Sequence, residues 1–210
     1  PETEFFRADK APNAFRIVVQ GGSSAQGFPY GHGGMPSRML EQRLQAAFPD
    51  REIETVNVAL TAVNSWTLLD QADEIVAQRP DAVLVYAGHN EWYGALGAAS
   101  ASRVSGTRAL VKAYLLLRHS RVAQLLASAI DALSPTKAPP PGASRTAMQL
   151  MAGGQRVPLG GALYARGVAQ FRANLSELLQ RYHDAGIPVL IGTLASNERD
   201  QRPLAAADGP

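Results

Sequence analysis

Apolar positions along the chain fall into two patterns. The first is short and nearly unbroken: Phe15–Gln20 (FRIVVQ), Glu52–Leu60 (EIETVNVAL), Asp81–Ala87 (DAVLVYA) and Ile187–Leu194 (IPVLIGTL). Runs of this length without polar alternation predict strands buried on both faces. The second pattern recurs every three or four residues. Pro36–Phe48 carries Met39, Leu40, Leu44 and Phe48, and Ser65–Gln78 carries Leu68, Leu69, Ala72, Ile75 and Val76. Tyr164–His183 carries Val168, Phe171, Leu175, Leu178, Leu179 and Tyr182, with Gly186 as a stop signal. Strands alternating with helices predict an α/β fold: a three-layer α/β/α sandwich on a parallel, flavodoxin-like sheet with strand order 2-1-3-4.

One stretch interrupts the alternation. Gly106–Leu133 reads as one or two additional apolar helices. Their apolar face (Leu110, Leu115, Leu116, Val122, Leu125, Leu126) needs burial against the main domain or a partner. Ser134–Gly161 is rich in Pro and Gly, and its tip, between about Ser134 and Gly153, is expected to be poorly ordered. The whole excursion, about residues 95–162, is an insertion in a single domain spanning 1–210. A surface excursion and a lid or docking helix both fit this composition.

Bulk composition narrows the function classes. With 46% hydrophobic and 18% charged residues, the 210-residue chain has enough apolar material for one globular domain. A net charge of +2 without a dense Lys/Arg stripe gives no reason to expect a nucleic-acid partner. The absence of cysteine excludes disulfides, thiol chemistry and cysteine metal sites but leaves the compartment open. No cofactor or metal is expected. No apolar run is long enough to span a membrane, and a chain that starts at Pro1 rather than Met is expected to be trimmed or processed.

Candidate chemistry gathers at the strand ends, where ligands bind in open parallel sheets. Gly21-Gly22-Ser23-Ser24 follows the first strand, Thr61-Ala62-Val63-Asn64-Ser65 the second, and Gly88-His89-Asn90-Glu91-Trp92-Tyr93 the third. In this order the three turns resemble the SGNH (GDSL-type) hydrolase superfamily, over about residues 12–204. Gly21-Gly22-Ser23 matches its first motif, with Gly27 at the spacing of a later glycine, and Gly88-His89-Asn90 matches its Gly-x-Asn motif. The GGSSA, GHNE and TLASNERDQRP segments resemble a branch often attached to membrane anchors or helical repeats. An extracytoplasmic location, periplasmic or membrane-anchored, is expected on that ground.

The resemblance implies a serine ester hydrolase acting on a small-molecule or glycan ester, with acylated glycans or lipids as candidates. Ser23 would be the nucleophile. The Ser23 N–H, the Ala62 N–H and the Asn90 side-chain amide would form the oxyanion hole, each donor contributing a few kcal/mol in the transition state. Gly22, Ser24, His89 and Glu91 would line the substrate site. Two residues depart from the family pattern: Gly22 replaces the usual Asp, and Ala62 replaces a glycine. The family's general base is a histidine in an Asp-x-x-His motif after a fifth strand. None of His32, His89, His119 and His183 has Asp three residues before it, and the segment carrying the fifth strand and the base is expected to lie outside this chain. Two other readings stay open. One is an inactive SGNH-like domain that binds a glycan or protein, for which Trp66, Trp92 and Tyr93 would suit sugar stacking. The other is a flavodoxin-like phosphate binder using Gly21–Ser24, although the chain has no P-loop lysine there.

Overall fold

The computed structural model describes residues 6–100, 107–118, 120–122, 124–125, 128, 157–196 and 199. They contain four strands: β1 (Ala14–Gly21), β2 (Glu52–Asn57), β3 (Ala82–Tyr86) and β4 (Val189–Ile191). The strands form one sheet in the order β2-β1-β3-β4, and every pairing is parallel. Val18 sits opposite Val56 on one side and Val83 on the other. Parallel neighbours need crossovers, which the helices α1 (Ser23–Gln26), α2 (Pro36–Ala47), α3 (Ser65–Ala77), α4 (Arg108–Leu117) and α5 (Ala162–Asp184) supply. The fold is therefore α/β with helices on both faces of a parallel sheet, in the predicted strand order.

The pleat of β1 divides the core. Ile17 and Val19 point to one face and pack with Ala25, Leu40 and Leu44, from α1 and α2. Val18 points to the other face with Val83 and Val85, under Leu68, Leu69, Ala72 and Ile75 of α3 and Leu178 and Tyr182 of α5. Each fully buried Val, Leu or Ile among them contributes roughly 1.5–3 kcal/mol. The second face of β1 also holds two buried polar residues, Arg16 and Gln20. Gln20 Nε2 donates to Leu68 O at 2.7 Å, and Gln20 Oε1 accepts from the Tyr182 hydroxyl at 3.1 Å. One strand residue thus holds α3 and α5, and its polar atoms are satisfied as burial requires.

Four details differ from the sequence expectation. β2 ends at Asn57 rather than at residue 60, because Asn57 Oδ1 accepts from Ala59 N–H at 3.0 Å and turns the chain. β4 is a three-residue edge strand with Leu190 57% and Ile191 49% exposed, so it is not buried on both faces. The buried stripe of α5 is Gly167, Asn174, Leu178 and Tyr182; Val168, Phe171, Leu175 and Leu179 are only half-buried. Polar Asn174 finds internal partners and joins the stripe, which a count of apolar residues alone misplaces. On α4 the buried residue is Val111, with Leu115 packed beside it, whereas Leu110 and Leu116, like Val122 and Leu125 beyond the helix, are exposed. Leu126 and the tip at 134–153 lie outside the described residues.

Candidate active site

The turn after β1 is built for close approach. A methyl on Gly21 would lie 2.2 Å from Tyr86 O of the neighbouring strand, so only glycine lets β1 and β3 converge here. Gly21 O accepts from Leu60 N–H at 3.1 Å, and Gly22 N–H donates to Tyr86 O at 3.3 Å. All three strand ends are thereby tied together. Gly22 is extended and caps α1, a single turn closed by Gln26 N–H to Gly22 O at 3.0 Å and ended by Gly27 in the left-handed region at φ 94°. Ser23 occupies the first position of that turn, where a backbone N–H has no intrahelical acceptor. Neither its N–H nor its hydroxyl hydrogen-bonds any described residue.

The β3 turn reaches over this point. Asn90 is buried, and its Nδ2 lies 3.5 Å from where a methyl on Gly22 would sit. The Asn90 amide has no hydrogen-bond partner among the described residues. The β2 turn is joined to the β3 turn through its backbone: Ala62 O accepts from Ala95 N–H at 3.3 Å, and Asn90 O accepts from Gly94 N–H at 2.7 Å. A methyl on Gly94 would be 2.7 Å from Asn90 O and 3.1 Å from Ala62 O, so the glycine lets the two turns meet. Ala62 has φ 60°, a conformation that favours glycine. The Ala62 N–H, like that of Ser23, meets no described acceptor.

The structure brings Gly22 against Asn90 and binds Ala62 to the Asn90 loop. Ser24 is exposed on α1. His89 is exposed, with its ring edge-on to Tyr86 at 5.6 Å between centroids. Glu91 lies beside these residues in sequence but is only 2% exposed and has internal partners. Its carboxylate accepts from Ser65 Oγ at 2.7 Å, Ser65 N–H at 3.1 Å and Gln170 Nε2 at 2.6 Å. Burial pushes the Glu91 carboxyl above its ordinary range, against the opposing pull of the Gln170 and Ser65 hydrogen bonds. Asn174 Nδ2 donates to Ser65 Oγ at 2.8 Å, and Asn174 Oδ1 accepts from Arg108. Sequence reasoning placed Ser65 in the turn after the second strand without a partner for it, and missed Gln170 and Asn174. The signal available was a pair of amides, Gln170 and Asn174, at i and i+4 along the helix.

No described histidine hydrogen-bonds Ser23. His32 is exposed in a short 3₁₀ turn, and His183 is exposed in the last turn of α5, which leads into the opposite end of the sheet; His119 lies outside the described residues. Trp66 is a core residue with the Arg108 guanidinium 5.0 Å above its ring. Trp92 stacks on Tyr164 at 5.2 Å and donates to Tyr164 O. Beside α1, a cleft of about 440 Å³ is lined by Gln26, Phe28, Met35, Asn57, Leu60 and Thr61. Among the described residues no group of three or more His, Asp or Glu is placed to hold a metal ion, and no helix is long and apolar enough to cross a membrane.

No family model matches the chain, and no curated protein matches it. Solved structures that match include a lipase/acylhydrolase from Enterococcus faecalis, 16% identical over 83% of this chain and 74% of that one, with a TM-score of 0.35. Another is an acetyl xylan esterase from Geobacillus stearothermophilus, 12% identical over 87% of this chain and 78% of that one, with a TM-score of 0.34. A lipase from a goat rumen metagenome is 11% identical over 79% of this chain and 75% of that one, with a TM-score of 0.32. At such scores the likeness assigns neither activity nor substrate to this chain.

Proposed function

We propose that the chain is a serine hydrolase domain of the SGNH type, acting on an ester of a glycan, a lipid or another small molecule. Ser23 Oγ is the nucleophile and attacks the ester carbonyl. The developing oxyanion is held by the N–H groups of Ser23 and Ala62 and by the Asn90 amide. The observation that carries the reading is the Asn90 amide lying against the Gly22–Ser23 turn without a partner among the described residues. A donor held in advance and kept free costs no reorganisation when charge develops. The 440 Å³ cleft beside α1 would take the group attached to the carbonyl. The proton acceptor is assigned to a residue beyond those described, since no described histidine reaches Ser23.

Without that base the hydroxyl stays protonated, and general base catalysis of roughly 10²–10⁴-fold is missing. The 210-residue chain should therefore hydrolyse p-nitrophenyl acetate slowly or not at all, while a fluorophosphonate still labels it slowly at Ser23. Ser23→Ala should abolish labelling. Asn90→Ala should slow it by up to about 10²–10³-fold, the effect of removing one oxyanion donor. Labelling that survives Ser23→Ala, or that falls on another residue, would overturn the assignment. The same missing histidine favours one second reading, a catalytically silent binding domain. Complete resistance to the probe, also in a longer chain containing an Asp-x-x-His segment, would decide for it.

A further inference from the structure

The Glu91 carboxylate plays no part in the chemistry proposed above. We infer that Glu91 is a positioning residue: its carboxylate latches the Gly88–Glu91 turn onto the N-terminus of α3, and so sets the Asn90 amide and the Ala62 N–H relative to each other. The inference rests on the oxyanion reading of those two donors. Its warrant is the donor pattern. Every partner of the carboxylate among the described residues is a donor: the Ser65 N–H, the Ser65 hydroxyl and the Gln170 amide. Ser65 Oγ already accepts from Asn174, so its single proton points to Glu91. The relay runs from the Arg108 guanidinium through Asn174 and Ser65 to Glu91, and it spans α4, α5 and α3 before it reaches the β3 turn.

The latch is also reciprocal. Asn64, the cap of α3, accepts from Trp66 N–H with its Oδ1 and points its Nδ2 toward Glu91 O at 3.5 Å. Glu91 N–H donates to Gly88 O at 3.3 Å, which closes the turn that carries Asn90. Ala62 lies two residues before Asn64, and Asn90 directly precedes Glu91. Among the described residues the Glu91 carboxylate is the acceptor of the Ser65 N–H, which has no intrahelical partner at this position. A glutamine at position 91 keeps the shape but turns an NH₂ toward a donor, so Glu91→Gln breaks the pattern with little change in volume.

The test compares the wild-type chain with Glu91→Gln and Ser65→Ala by amide hydrogen exchange and by fluorophosphonate labelling of Ser23. Glu91→Gln should speed exchange at 60–66 and 88–94 together, by about tenfold or more, with β1 and β3 still protected. It should also lower the labelling rate constant kinact by about 10- to 100-fold, as a small misplacement of oxyanion donors does, with KI nearly unchanged. Ser65→Ala removes one donor and should shift both readouts less, in the same direction; it carries the comparison if Glu91→Gln does not fold. Exchange that rises in only one of the two segments, or in neither, would overturn the latch, as would raised exchange with unchanged kinact. If wild-type Ser23 takes no label, also in a longer chain containing an Asp-x-x-His segment, the hydrolase reading fails. The latch is then judged by exchange alone: paired loss of protection supports it, and unchanged protection refutes it.

Discussion

Arg16 is an internal cation, and replacing it shows what holds β1 to its surroundings. Its side chain is 1% exposed. Nε donates to Glu54 Oε2 at 2.5 Å, Nη1 to Gln78 O at 2.8 Å and Nη2 to Arg7 O at 2.5 Å, while Phe6 stacks 5.1 Å below the guanidinium carbon. Arg16→Met keeps most of the volume but strands the Glu54 carboxylate and two carbonyls. Breaking a buried pair from one side costs about 3–5 kcal/mol, a large share of a typical domain's 5–15 kcal/mol. Glu54 also accepts from Arg7 N–H at 3.2 Å and keeps some solvent contact, so the lower half of that range is expected. Arg16→Lys retains the charge but not the fork and should cost about 1–3 kcal/mol. Adding Glu54→Leu to Arg16→Met should recover much of the loss, because the orphaned charge is removed. Urea unfolding followed by Trp fluorescence, with Trp66 in the core as reporter, measures all four proteins. A loss below about 1 kcal/mol for Arg16→Met at unchanged m, or no recovery in the double variant, would refute the argument.

Three further outcomes are expected. Hydrogen bonds from Lys112, Arg108 and Arg181 outweigh the upward push of burial and hold the Glu177 carboxyl at about 2. A depressed folded value stabilises above the ordinary carboxylate range and is lost as pH falls from about 4.5 toward 2. Urea melts should therefore weaken over that interval and weaken less in Glu177→Gln. Ala62→Gly should leave stability unchanged or raise it by up to about 1 kcal/mol, because it relieves a left-handed alanine, whereas Ala62→Val should lose about 1–3 kcal/mol and slow Ser23 labelling; a stabilised Val variant would contradict the observed φ. Gly21→Ala should lose several kcal/mol, since its methyl would meet Tyr86 O at 2.2 Å, and a thermal melt unchanged from wild type would contradict that close approach.

The sheet order and most of α3 were legible because their information is local. Ile17, Val18 and Val19 form an unbroken run, and Leu68, Leu69, Ala72 and Ile75 repeat at helical spacing. Arg16 and Gln20 were not legible as core residues. Their burial depends on Glu54, Leu68 and Tyr182, which lie 38, 48 and 162 residues away in the chain. At the candidate site, the family resemblance named Gly22, Ala62 and Asn90, and the structure brings Gly22 against Asn90. What motif spacing leaves out is support. Glu91 reads as a group facing substrate, yet its carboxylate is held by Ser65 and by Gln170, 79 residues further on. A motif names the residues at a turn but not the direction each side chain takes once distant helices pack beneath it.

The exposed edge strand has a consequence for how the chain behaves at high concentration. Leu190, Ile191 and Leu194 present apolar surface beside a row of backbone donors and acceptors, and no described residue pairs with the outer side of β4. Natural edge strands are usually guarded by charge, proline or a bulge, and Val189–Ile191 carries none of these. Such an edge is a template for strand-to-strand pairing, and it is the edge at which the fifth strand implied by the resemblance would add. Leu190→Lys would act as a gatekeeper on this edge, raising the concentration at which the chain self-associates.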